Sequence, residues 1–241
     1  MLLKLTGVSK RFGAVVASDA IDLHLERGEA LGIIGANGAG KSSLFNLITG
    51  VMRPDSGVVE FEGRDITRVA ARDRCHAGIG RSFQIPRPFE TLTVFENVMV
   101  AAEFGRVRPQ ADAVAISGRV LEMTGLSSKA NTLAGQITLL DRKRLELARA
   151  LATEPEVLLL DEIAGGLTEA ECHELVALIK SLHASGITIV WIEHIVHALL
   201  SVVSRLIVLE FGRKIADGEP RAVMADPVVR KSYLGIDEAV S

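Results

Sequence analysis

The stretch Leu31–Ser43, LGIIGANGAGKSS, constrains this chain more than any other. An apolar run, Leu31-Gly32-Ile33-Ile34, stops at Gly35. A glycine-rich turn follows, and Lys41-Ser42-Ser43 opens an apolar-periodic segment, Leu44-Phe45-Asn46-Leu47-Ile48. The order reads as a buried strand, a loop the size of a phosphate and a helix N-terminus. The spacing Gly35-x-x-x-x-Gly40-Lys41-Ser42 is the P-loop form. Its residue types have a chemical reason. Glycines let the backbone curl so that successive N–H groups point at phosphate oxygens, and the positive end of the helix faces the same anion. Gly35, Asn37, Gly38, Ala39, Gly40, Lys41, Ser42 and Ser43 are therefore the candidate phosphate-binding residues. Lys41 is expected to reach the β- and γ-phosphates and the Ser42 hydroxyl to sit on Mg²⁺. A plain glycine turn carrying a surface lysine is the competing reading, and the order of strand, loop, Lys-Ser and helix weighs against it.

With 241 residues the chain can form one large domain, or a core with a subdomain. Its net charge of −3 argues against a general nucleic-acid surface. No apolar run approaches the roughly 18 residues of a membrane helix, and Met1–Leu5 is too short an apolar stretch for a signal peptide. Cys75 and Cys172 are isolated, as in a reduced cytosolic protein.

Alternating apolar positions predict strands over 2–8 and 21–25, and Val58–Phe61 forms another between two turns. A helix is expected over 67–77 and a short strand over 79–83. From Ile85 the character changes. Pro86, Pro88 and Pro109 punctuate a stretch of mainly helical spacing, so 87–152 is expected to be a helical subdomain inserted into a core made of 1–86 and 153–241. The core resumes with Val157–Leu160 and Asp161-Glu162, then a helix over 169–184, and a fully apolar strand over 187–192 ending at Glu193-His194. Apolar runs separated by helices suggest a mainly parallel sheet covered on both faces. Leu206–Glu210 and Lys214–Asp217 read as an antiparallel hairpin.

The P-loop alone would fit a kinase, a GTPase or many ATPases. Asp161 and Glu162 narrow the choice. An acid that ends a buried strand lies at the carboxyl edge of the sheet, where ligands of open α/β folds bind. Asp161 is placed to hold Mg²⁺ and Glu162 to orient and deprotonate water. His194, ending the next apolar strand, can hydrogen-bond a γ-phosphate and the attacking water. His194 and His197 are spaced to share a helix face, but no third ligand of suitable spacing accompanies them.

The order of P-loop, Gln84, the run Lys143–Leu151, Leu-Leu-Leu-Asp161-Glu162 and His194 resembles the ATP-binding subunit of ABC transporters along nearly the whole chain. That likeness implies an α/β P-loop NTPase fold: a RecA-like core with a mainly parallel sheet, an N-terminal antiparallel β part and an inserted helical subdomain. It implies ATP and Mg²⁺ as ligands, Phe12 as the aromatic that stacks on adenine, Gln84 as a metal contact linked to the membrane partner, Glu162 as catalytic base and His194 as switch histidine. The segments Gly80–Gln84, Leu92–Val98 and Ser232–Gly235 look like the branched-chain amino-acid uptake branch, although importers of urea and other small solutes share much of them. The implied partners are transmembrane permease subunits, a second ATP-binding subunit, identical or different, and indirectly a solute-binding protein. No nucleic acid is implied. The implied location is cytoplasmic, peripheral on the inner face of the cell membrane.

The chain departs from the family at three points. Its signature, Leu-Ser-Gly-Gly-Gln in the family, is Ile137-Thr138-Leu139-Leu140-Asp141, so only the hydroxyl of Thr138 remains to meet a partner's γ-phosphate. Ile163 stands where proline usually follows the catalytic acid, and Thr168 replaces an Asp or Asn. Two rival functions remain in view. A ribosome- or DNA-directed ATPase of the same family would usually carry two cassettes or a long coiled coil. A small-molecule kinase would need an acceptor site.

Overall fold

A computed structural model describes residues 1–105 and 112–234. Pro109 and Gly235, which figure in the expectations above, lie outside the described residues. The chain divides into two units, Met1–Ala71 with Val190–Ser241, and Arg72–Ile189.

The first unit opens with β1 (Leu3–Phe12) and β2 (Val15–Leu25), followed by β3 (Ala30–Ile34), α1 (Lys41–Thr49), β4 (Ser56–Phe61) and β5 (Arg64–Asp65). An antiparallel sheet runs in the order β2-β1-β4-β5. β1 and β2 are both longer than their alternation predicts. Past Val8 the pairing is broken by register shifts, and Ser9-Lys10-Arg11 carries no apolar alternation to read. β3 is buried at all five residues. It pairs in parallel with β9 (below) so tightly that a Cβ on Gly32 would lie 3.0 Å from Leu206 and Val203. The expected helix over 67–77 begins only at Ala71. Thr67 is held elsewhere: its N–H donates to Asp65 Oδ1 (2.8 Å), and its hydroxyl accepts the Val59 N–H (2.9 Å).

The second unit contains α2 (Ala71–Ala77, all but its first residue), β6 (Ile79–Arg81), α3 (Val94–Glu103), α4 (Ala113–Met123), α5 (Leu139–Ala152), β7 (Val157–Asp161), α6 (Glu169–Ala184) and the start of β8 (Thr188–Ile192). β6 and β7 pair in parallel, from Ile79 with Val157 to Arg81 with Leu159. The helices α3, α4 and α5 pack on one another through buried Val94, Val98, Val120, Leu121, Leu145 and Leu147. Three helices start on a threonine cap. Thr93 and Thr168 each close a capping box with a glutamate three residues on, Glu96 and Glu171, and Thr138 accepts from the Asp141 N–H. Thr168, which departs from the family pattern, thus does the capping that an Asp or Asn would do. The expected helical stretch 87–152 lies within this unit together with β6 and β7.

The chain returns to the first unit in β8 and continues with α7 (Val196–Leu200), β9 (Arg205–Glu210), β10 (Arg213–Gly218), α8 (Pro220–Ala225) and α9 (Pro227–Leu234). β9 and β10 form the expected antiparallel hairpin. No described helix is long and apolar enough to cross a membrane.

Candidate functional site

In the first unit, β3 delivers the chain into the loop and α1 receives it. Two glycines are required by close approach. A Cβ on Gly35 would lie 2.3 Å from the Leu209 carbonyl oxygen, and one on Gly40, whose φ is 100°, 2.3 Å from that of Ala17. Lys41 is 5% exposed, and its Nζ donates to the carbonyls of Gly35 (2.8 Å) and Ala36 (3.1 Å). The ammonium is therefore largely removed from solvent and held over the loop in part by these two carbonyls. Gly40 supplies no side chain to cap α1, and the first turn of α1 contains no acid. The positive end of the helix is left open for an external anion. Asn37 and Gly38 are exposed, Ala39 is buried, Ser42 is exposed and Ser43 half-buried. Phe12 ends β1 with half its surface exposed, and the Lys10 ammonium lies 5.5 Å from its ring centre. His194 is exposed, two residues past β8, and its N–H donates to Glu193 Oε2 at 3.2 Å. The helix shared by His194 and His197 does not form: α7 begins at Val196 with Ile195 at its cap position, leaving His194 outside it.

In the second unit, β7 is buried throughout and ends on Asp161. Asp161 Oδ2 accepts from Arg81 Nη2 at 2.7 Å, both side chains being less than a tenth exposed. Glu162 follows with φ 47°, a left-handed conformation rare for a residue with a side chain. Its Oε2 accepts from Gln84 Nε2 at 2.7 Å. That bond uses the amide nitrogen of Gln84 and leaves the amide oxygen as an acceptor. Residues 81–84 thus reach both acids, Asp161 through Arg81 and Glu162 through Gln84.

Thr138 caps α5. Its hydroxyl accepts from the Asp141 N–H (3.2 Å) and donates to Asp141 Oδ2 (2.7 Å). Asp141, 3% exposed, is also paired with Lys129. Burial works against ionisation of Asp141, but the Lys129 and Thr138 hydrogen bonds outweigh it and hold the carboxyl below its ordinary value. Leu139, in the place of a family glycine, is 44% exposed.

Arg81 and Asp141 lie in segments read above, Gly80–Gln84 and the altered signature, but the motifs assign neither a role. Arg81 sits 80 positions from Asp161 in sequence, so no local pattern announces the pair. Asp141 did have a local signal: Thr138-x-x-Asp141 repeats the threonine-to-acid spacing of Thr93–Glu96 and Thr168–Glu171.

The ABC transporter family matches residues 18–165, and the branched-chain amino acid ATP-binding cassette transporter family matches residues 213–239. The high-affinity branched-chain amino acid transport ATP-binding protein BraF of Pseudomonas aeruginosa is 32% identical, over 97% of this chain and 98% of its own. The corresponding LivG of Escherichia coli K12 is 34% identical with the same coverage. A solved ATP-binding cassette of an ABC transporter in its ADP conformation superposes with a TM-score of 0.87 at 32% identity, covering 98% of this chain and 99% of that one. These matches span both units and include every motif read above. The chain therefore belongs to the ABC transporter family, and within it to the group of branched-chain amino-acid transport ATP-binding proteins.

Proposed function

We propose that this chain is the ATP-hydrolysing motor subunit of an importer for branched-chain or other small amino acids. The observation that carries the reading is the cradle of the first unit: a buried Lys41 ammonium at a helix start that has no side-chain cap and no acid in its first turn. Such a site suits the terminal phosphates of a nucleotide. Phe12 is the exposed aromatic offered to adenine, and the backbone from Gly35 to Ser43 donates to phosphate oxygens. Mg²⁺ suits the hard oxygen donors Ser42, Asp161 and Gln84, and when bound it neutralises phosphate charge. Glu162 takes the proton of the attacking water, Gln84 orients Glu162, and His194 reads the γ-phosphate. Most of the chemistry is charge stabilisation and positioning. Thr138 stands at the signature position, where the nucleotide of a neighbouring subunit would compete with Asp141 for its hydroxyl.

The partners are a second ATP-binding subunit and transmembrane permease subunits, which hold the chain at the inner face of the membrane. A solute-binding protein delivers cargo to the permeases. The cargo class is supported by the names of the relatives and by the match over 213–239. Replacing Glu162 with Gln is expected to keep MgATP affinity and lower turnover at least about 100-fold. Equilibrium binding and phosphate release measure the two separately. Turnover at the unmodified rate would remove Glu162 from its role.

A further inference from the structure

Gln84 lies on an exposed loop without regular secondary structure, yet its side chain must hold Glu162. The loop is fastened from one side by α5. Lys143 Nζ donates to the Gln84 carbonyl at 2.6 Å. Glu146, 6% exposed, is paired with Arg149 and lies near the Phe83 and Arg87 amides. Arg149 Nη1 donates to the Arg87 carbonyl at 2.9 Å and to Glu146 Oε2 at 3.1 Å. These three residues are spaced by three and lie on one face of the helix. Each cation takes a loop carbonyl, and the buried anion between them holds Arg149 in place. Burial pushes the Glu146 carboxyl up from its ordinary value, and the nearby Arg149 charge, the Phe83 and Arg87 amides and Lys143 offset this only in part.

We infer that Lys143 and Glu146 are positioning residues for the Gln84–Glu162 pair: Lys143 holds the Gln84 carbonyl and Glu146 holds Arg149 on the Arg87 carbonyl, so that the Gln84 amide meets the catalytic carboxylate. Because Thr138 caps α5, the same helix joins the signature to that pair. The inference rests on the roles proposed for Gln84 and Glu162, but its primary readout does not need turnover.

The test follows the Gln84 side-chain amide resonances in the full-length chain without nucleotide. Glu162→Ala marks the position of a broken pair. In Glu146→Ala the Gln84 signal is expected to move to that position, and in Glu146→Gln, which keeps one acceptor and the volume, to stay near the unmodified one. Lys143→Met should shift it part of the way and serves if Glu146→Ala does not fold. With MgATP, kcat in Glu146→Ala should fall about tenfold or more while KM stays within about twofold, since small misplacements of a catalytic group cost rate rather than binding. A Gln84 signal that stays in place in folded Glu146→Ala or Lys143→Met protein overturns the inference. So does a loss that appears equally in KM and kcat. Failure of the catalytic reading itself would show instead as undiminished turnover in Glu162→Gln.

Discussion

Two helix starts, one in each unit, meet the same electrostatic problem in opposite ways. At α1 the cap is a glycine with no side chain, the first turn has no acid, and a buried lysine adds positive charge. At α5 the cap is a threonine whose hydroxyl is already used, and the first turn contains its own buried carboxylate, paired with Lys129. The first end has no carboxylate in its opening turn. The second carries its own. Both occupy positions where the family expects contact with phosphate, so the difference teaches that a shared motif position does not guarantee a shared electrostatic state. What decides is whether the fold has already supplied the negative charge.

The largest expected effect breaks the open end. Lys41→Ala should weaken MgATP binding by about 100-fold or more, the cost of removing one member of a desolvated charge pair. Asp141→Asn, at the closed end, should leave that affinity unchanged, and calorimetry on both variants makes the contrast. The second effect concerns stability. Asp141→Asn is expected to cost about 2 kcal/mol near neutral pH, the worth of buried hydrogen bonds to a charged group. Its sign with pH follows from the lowered pKa. Above the ordinary carboxylate value of 3.8 the ionised Asp141 contributes fully; as pH falls through its lower folded value the contribution disappears. Urea melts of the two proteins should therefore differ at pH 7 and converge in strong acid. The smallest effect is Thr138→Ala, about 1 kcal/mol for a lost cap. Thr138→Ser, which keeps the oxygen, should restore most of it in the same melts. If Thr138→Ala left stability untouched, the closed end would not depend on its cap.

The parts of the molecule that could be read from sequence are those in which local chemistry determines local structure. The P-loop is set by glycines that no Cβ could replace, and β3, β7 and β8 by unbroken apolar runs that only a covered strand accepts. Legibility failed where distant residues decide. β1 continues to Phe12 because β2 pairs with it through bulges, although Ser9-Lys10-Arg11 shows no alternation. α2 starts late because Thr67 is bound to Asp65 and Val59. At the site, the motifs assign roles to Gln84, Asp161 and Glu162, whereas Arg81 and Glu146 lie in the quoted segments Gly80–Gln84 and Lys143–Leu151 without one. The latter two matter through partners far along the chain, and a charged residue on a helix face looks like a solvated one until the fold buries it.

The backbone of Glu162 has one more consequence. A left-handed torsion is comfortable for glycine and uncomfortable for a residue with a Cβ. Selection for a sturdier fold alone would erode this position toward glycine, deleting the carboxylate in the process. Thermostability screens that do not also score turnover should therefore drift into inactive chains here, where resilience and chemistry pull the same residue in opposite directions.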